Sequence, residues 1–518
     1  MLRSCLFIIA LEVVSFGTFV GDMGFYSDEW HYLELVSRAN GYWSAVEAFF
    51  RTGNFWARPM CAIHFALGYF WGAHPVPYHI INLGLETLGG ILFFVLLDRL
   101  LAWRSLALLA ACLALIYPNH TATHHWASDA VQLYAIDLTL AALILHLAWR
   151  RSGCRSVWIG ALLCYGLAMF FYESCAFLPL LLAVGLVAQD VTRGQPLRES
   201  VRAHAAEFFP LAGVLIAVLF WQWVAVRVFG GSNTKDFGGD PIHFLKTFRT
   251  GLAGITFKSL LMCVHALPAA IRDLAPWRWW ALAAWSTLAA AYLRISRPES
   301  RDERGVLLTA FAMAAAAYVG AALPYALSRD YMPNMHGLDS RTSATIAMAG
   351  GLLAAASLAF LRCRIPALAR FLTAILLASF TWTDWHAASQ WALSWRLQKS
   401  VIRSAARKAV LLPPSSTVLL AGVPVFVNRE LNPIPVFGAT WDFSAALRLA
   451  TRRPDIQADV ISEHSVFYPD RVVREMSNSV QVYRKGLFVY HYDRDRVTPL
   501  NAAPPVPIPP GRFPGRQG

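Results

Sequence analysis

What most constrains this chain is a repeating block of apolar residues. Each block runs about 15–22 residues, the length that crosses a hydrocarbon core of about 30 Å as a helix. The blocks fall near 2–21, 78–97, 105–118, 130–149, 156–172, 174–191, 207–229, 279–293, 305–327, 342–361 and 371–387. Segments of alternating polarity, the mark of a transmembrane barrel, are absent from these blocks, so the spans are helical. Only 15% of residues are charged, against about 25% in soluble domains. The expected fold is an all-α polytopic membrane bundle of about 11 transmembrane helices.

Charge sets the expected sidedness. With the N-terminus inside, the five inner loops (98–104, 150–155, 192–206, 294–304 and 362–370) carry 15 Arg and Lys in 48 residues. The outer loops carry 10 in about 132. Positive charge is therefore biased inward. The same distribution explains the net charge of +13 without nucleic acid, because the arginines punctuate short loops rather than forming a basic stripe. The first apolar run exits through Phe19-Val20-Gly21-Asp22 without a small-residue cleavage site, so it reads as an uncleaved span. The eight cysteines form no CxxC pair, and no disulfide framework or zinc motif is expected.

Some stretches do not fit the alternation. Residues 60–73 are too short to span, and 244–271 carry Lys246, Arg249, Lys258 and His265 at helical spacing. Both are expected as re-entrant or interfacial helices on the outer face, and Tyr42 to Trp56 as interfacial. The domain reading is a transmembrane domain over 1–390, with outer loop 22–77. An interfacial basic helix over 391–412 follows, then a small soluble α/β domain over 413–497 and a disordered Pro-rich tail over 498–518.

Five outer-face features can carry chemistry. Asp28-Glu29 follows the first span, wrapped in aromatics. It is either a solvated pair or a general base with support. Arg58-Pro59 opens a short helix. His79, Asn82 and Glu86 sit at i, i+3 and i+7, a polar stripe that faces a cavity or hydrogen-bonds a neighbouring helix. The loop 119–129 offers His120, His124, His125 and Asp129. Its histidine spacing matches no standard zinc pattern, so His125 and Asp129 are read as substrate-side support and no metal is assigned. Glu173, in the turn Tyr172-Glu173-Ser174-Cys175, is either a helix cap or a site carboxylate. The loop 328–341 contains Arg329 and Arg341, and arginine suits phosphate: a fixed fork of donors and a permanent charge.

The order of these features resembles the GT-C superfamily of polyprenyl-phosphate-dependent glycosyltransferases, in its protein O-mannosyltransferase-like and bacterial lipid-modifying branches. The residues that carry the resemblance are the acidic pair after the first span, Arg58-Pro59, and Tyr78-His79-xx-Asn82. It covers about residues 1–390. By position it implies Asp28 as the catalytic Asp of the first outer loop. The family's mid-chain Lys-Glu…Leu-Pro turn reads Tyr172-Glu173…Leu178-Pro179 here, without the Lys, and Arg341 matches the arginine of the late outer loop. Where the family often has His, this chain has Glu86.

The resemblance implies an inverting glycosyltransferase of the bacterial inner (plasma) membrane, working on the periplasmic side. Its donor would be a polyprenyl-phosphate-linked sugar, and its acceptor hydroxyl would sit on a lipid, glycan or protein. Asp28 would take the acceptor proton with Glu29 in support. Arg58 and Arg341, then Arg329 and His79, would hold the phosphate. His125, Asp129, Glu173 and Asn82 would surround the substrate. No cofactor is firmly indicated, a divalent metal stays open without support from the sequence, and no nucleic-acid partner is expected. A polytopic transporter or flippase, or a non-catalytic envelope-assembly protein, remains the alternative.

Overall fold

The computed structural model describes residues 1–230, 241–293, 302–328, 331–427, 433–439, 441–462, 464–474, 479–484 and 486–501. Arg329 and Asp330, the loop residues 231–240 and 294–301, and the tail from 502 onward lie outside the described residues. The chain divides into two compact units. One comprises Met1–Val20, Phe50–His64 and Tyr78–Ala388; the other comprises Gly21–Phe49, Phe65–Pro77 and Ser389–Gly518.

The larger unit is a helical bundle. Among the described residues, nine helices of the chain are long and apolar enough to cross a membrane, and Arg104–Leu115 and Arg155–Phe171 are shorter apolar helices. The chain is thus an integral membrane protein. Arg104–Leu115 spans about 18 Å at 1.5 Å per residue, short of the hydrocarbon core, and every residue from Leu106 to Leu115 is buried. It packs against Ala344–Arg362, which packs in turn against Glu303–Ala326. These interfaces use small residues, since lipid supplies no hydrophobic drive between helices and close backbone approach must. A Cβ at Gly351 would stand 2.7 Å from the Ala110 carbonyl oxygen. By contrast, Leu197–Phe229 leaves Phe209, Ile216, Phe220 and Trp223 uncovered, as a helix at a lipid boundary would.

Besides Arg104–Leu115, which is too short for the span expected at 105–118, three stretches differ from the sequence expectation. Residues 244–271 form a long helical run, Pro241–Ala253 and Ser259–Asp273 joined by a π-helical turn at Gly254–Lys258. It is apolar enough to count among the crossing helices, because its Lys, Arg and His side chains (His243, Lys246, Arg249, Lys258, His265 and Arg272) are spread along the 32 residues of Pro241–Arg272. The expected inner loop 192–206 folds largely as the first turns of Leu197–Phe229, where Asp190 accepts from Ser200 Oγ at 3.0 Å and from His204 Nε2 at 2.7 Å. Residues 391–412, expected as a separate surface helix, are mostly the second half of one 44-residue helix, Pro366–Ala409. Trp391, Ser394, Gln398 and Val401 are buried there.

The smaller unit joins the first loop to the C-terminal domain. Its four-stranded sheet runs Gln457–Val460, Thr417–Ala421, Leu487–His491, Arg496–Pro499, parallel across the first three strands and antiparallel at the last. Leu419, Ala421, Ile461, Val472, Leu487 and Val489 form a core there. A three-stranded antiparallel sheet, Ser465–Phe467, Arg471–Arg474 and Ser479–Val482, is separate from it. Helix Asp442–Thr451 packs on helix Asp28–Ser37. The contact is fixed by Arg448, whose Nη2 donates to buried Glu34 at 2.8 Å. Trp30 Nε1 donates to Gln398 at 2.9 Å, and the Tyr26 hydroxyl donates to the Trp391 carbonyl at 2.8 Å. Gly24 lies against the Trp395 indole, where any side chain would collide.

Candidate active site

In the smaller unit, Asp28 opens the helix Asp28–Ser37. The chain enters through Ser27 at φ 52°, a region that non-glycine residues avoid. The two carboxylates of the pair do different work. Glu29 is buried, and its Oε2 accepts the Tyr26 backbone N–H at 2.6 Å, fastening the entry turn. Asp28 is half-buried, and its Oδ1 accepts from Trp441 Nε1 at 3.0 Å. Its Oδ2 takes no hydrogen bond among the described residues. One oxygen is oriented and the other is open to a proton donor.

In the larger unit, the mid-chain turn and the Arg-Pro motif meet. Arg58 Nη2 reaches Glu173 Oε1 at 2.5 Å, and its Nε reaches Oε2 at 3.1 Å. The guanidinium also lies 4.5 Å from the centre of the Tyr172 ring. This two-point pairing fixes the plane of the arginine fork. Glu173 therefore does more than cap a helix. Arg341 sits in the turn Gly337–Ser343, with its guanidinium 4.8 Å from the Trp126 ring centre and its backbone carbonyl held by Gln132 Nε2 at 2.8 Å. Its charge acts on Asp129. Tyr325 lies within electrostatic reach of Tyr172, Arg341 and Asp129. Its buried hydroxyl has no hydrogen-bond partner among the described residues.

The polar stripe of Pro75–Leu101 faces inward: His79, Asn82 and Glu86 are all buried. Asn82 Nδ2 donates to the Thr123 carbonyl at 3.1 Å and to the Trp126 carbonyl at 3.0 Å, so its amide pins the turn 119–129. His125 lies near His79 and His124. Burial, with those two imidazoles close by, pushes it well below the usual histidine range, which leaves it neutral at physiological pH. His124 contacts the Glu86 carboxylate through Nδ1, and Glu86, His120 and His124 together could hold a metal ion.

Trp441, Tyr325, Glu12 and Asp384 are not among the residues to which the motifs of the sequence point. Glu12 and Asp384 carried a readable signal, a lone carboxylate within an apolar helix. Tyr325 and Trp441 carried none.

The class these features define is an integral, helical, polytopic membrane protein with buried arginine–carboxylate pairing and a small α/β domain. Among solved structures the chain is similar to the crystal structure of ArnT from Cupriavidus metallidurans bound to undecaprenyl phosphate. The identity is 13% and the TM-score 0.43, over 88% of this chain and 86% of that one. No protein-family model matches the chain, and no curated protein matches it.

Proposed function

We propose that this protein is a GT-C-type membrane glycosyltransferase, which moves a sugar from a polyprenyl phosphate to an acceptor hydroxyl on the outer face of the membrane. The observation that carries the reading is the pairing of Arg58 with Glu173. Two motifs of the resemblance, 115 residues apart, meet as a positioned guanidinium of the kind that binds phosphate.

In this reading Asp28 accepts the proton of the acceptor hydroxyl. The oxygen attacks the anomeric carbon from the face opposite the phosphate, the carbon–oxygen bond to phosphate breaks, and the configuration inverts. The donor is a phosphodiester with one negative charge, and the leaving lipid phosphate is a monoester that gains a second. Catalysis therefore rests on fixed positive charge where that second charge develops. Arg58 and Arg341 supply it, with His79 in support, and Arg329 is assigned the same task. Glu173 fixes the fork of Arg58. Asp129 lies in the field of Arg341, Asn82 holds the turn that carries His125, Trp126 and Asp129, and His125 is assigned to the substrate side. Glu29 supports Asp28 by fixing the turn that presents it.

The test is release of polyprenyl phosphate from a labelled lipid-linked sugar by purified protein in detergent or liposomes. Turnover with transfer of the label supports the reading. Movement of the intact lipid across the bilayer without cleavage would assign a flippase instead.

A further inference from the structure

Three segments of the larger unit bring acids and imidazoles to one buried point, and a fourth adds a carboxylate within its field. Glu86 comes from Pro75–Leu101, while His120 and His124 come from the turn that follows Arg104–Leu115. Donor atoms of these three lie within 4.8 Å of one another, and all three residues are buried. Glu12, from the first helix, faces Glu86. It is fully buried, and among the described residues no group other than Glu86 is in hydrogen-bonding position to its carboxylate oxygens. Asp384, also fully buried and without a hydrogen-bond partner among the described residues, lies within the field of Glu86. Among the described residues no lysine or arginine pairs with Glu12, Glu86 or Asp384. Buried carboxylates without a counter-charge are costly, so a cation or shared protons must compensate them.

The histidine geometry favours a metal cation. His120 Nε2 lies 3.1 Å from the Ala114 carbonyl, which can only accept, so Nε2 carries the proton and Nδ1 presents a lone pair. Its near neighbour is Thr123 Oγ1 at 2.9 Å, a hydroxyl that can turn its proton to the His120 carbonyl, 2.8 Å away, and leave the Nδ1 lone pair to a metal. An imidazole with one nitrogen anchored on a backbone carbonyl and the other left as a lone pair is the form a metal-ligating histidine takes. The His124 ring is held in plane by Phe16, stacked with centroids 3.5 Å apart. A cavity of about 50 Å³, lined by Glu86, His120, Thr123 and Asp137 among apolar residues, adjoins the cluster and has room for a water-sized species.

We infer that Glu86, His120 and His124, with Glu12 as the fourth donor, form a binding site for one divalent transition-metal ion of the zinc type. Two imidazole nitrogens and two carboxylates make a donor set that zinc accepts in tetrahedral geometry, and imidazole selects against magnesium and calcium. A dication balances the two carboxylates. It also ties the first helix and Pro75–Leu101 to the turn 119–126. This site does not depend on the glycosyl-transfer reading.

The test uses the full chain purified in detergent without chelator, with metal content read by mass spectrometry. A second readout is cobalt(II) titration of chelator-stripped protein, followed by visible absorption. Wild type should hold about one zinc per chain and give the intense bands of four-coordinate cobalt. Glu86→Gln, nearly isosteric, and His124→Ala should each lose metal by more than about tenfold while eluting as monodisperse protein. His265→Ala, an exposed histidine elsewhere in the unit, should retain it. Wild type that takes up neither metal would overturn the inference and leave a shared proton between Glu12 and Glu86 as the compensation. Glu86→Gln that binds metal as His265→Ala does would overturn it equally.

Discussion

Arg58 and Glu173 form a two-point ion pair, at 2.5 and 3.1 Å, across 115 residues of sequence. Their side chains are 19% and 15% exposed, so the pair is largely shielded from water. That exposure decides what the pair contributes. A surface pair adds little, whereas here removing the acid strands a mostly buried charge.

Glu173→Gln should therefore lower stability by about 1–3 kcal/mol, the range for losing a charge-assisted hydrogen bond. It should also lower sugar transfer, because the Arg58 fork is no longer fixed. Arg58→Lys keeps the charge and loses the second hydrogen bond. It should fold with a melting temperature closer to wild type than Glu173→Gln, yet transfer sugar about tenfold more slowly. Thermal melts in detergent and turnover of a lipid-linked sugar check both.

Asn82→Ala should act on structure before chemistry. The amide holds two carbonyls of the turn 119–129. Its loss should cost about 1–3 kcal/mol and raise hydrogen exchange selectively over residues 119–129. Uniform exchange across the bundle would contradict that role.

His64 offers a pH signature. Burial lowers its imidazole to about 4, against about 6.5 for the unfolded chain. The unfolded state then binds a proton that the folded state refuses, so stability present above pH about 6.5 is lost as pH falls toward 4. Full loss corresponds to about 3 kcal/mol. His64→Phe should remove this component, so the difference between wild-type and variant melting temperatures should narrow or change sign as pH falls through that window. A difference constant with pH would count against it.

The smaller unit can be probed through Trp441, whose indole donates to Asp28. Trp441→Phe keeps the ring and deletes the hydrogen bond. Turnover should drop by about tenfold with a melting temperature within a degree or two of wild type, since one exposed hydrogen bond contributes only about 1 kcal/mol. Unchanged turnover would show that the indole does not position the carboxylate.

Much of the architecture was legible because membrane physics writes it in a simple code. Apolar blocks of spanning length marked the helices, and the inward burial of His79, Asn82 and Glu86 followed from a 3.6-residue period. What those side chains touch was not legible. Asn82 bonds backbone carbonyls of a turn 41 and 44 residues away, a partner no spacing rule names. Glu86 meets His124 only because the short helix Arg104–Leu115 returns the chain to it. The segment after residue 390 reads as an interfacial basic helix because Arg396, Lys399, Arg403, Arg407 and Lys408 punctuate it. Its buried face of Trp391, Ser394 and Gln398 mixes polar with apolar residues, so no apolar stripe announced that it packs inside protein. The Asp28-Glu29 pair was visible at once. Its division of labour depended on Tyr26 and Trp441, the second 413 residues away.

The measurement that bears most directly on the central claim is turnover by Asp28→Asn, in purified protein with a labelled polyprenyl-phosphate sugar. Removing a general base costs about 10²–10⁴-fold, so the variant should melt as wild type does and release polyprenyl phosphate at that reduced rate. Wild-type release by a folded Asp28→Asn protein would contradict the assignment of Asp28 as the base.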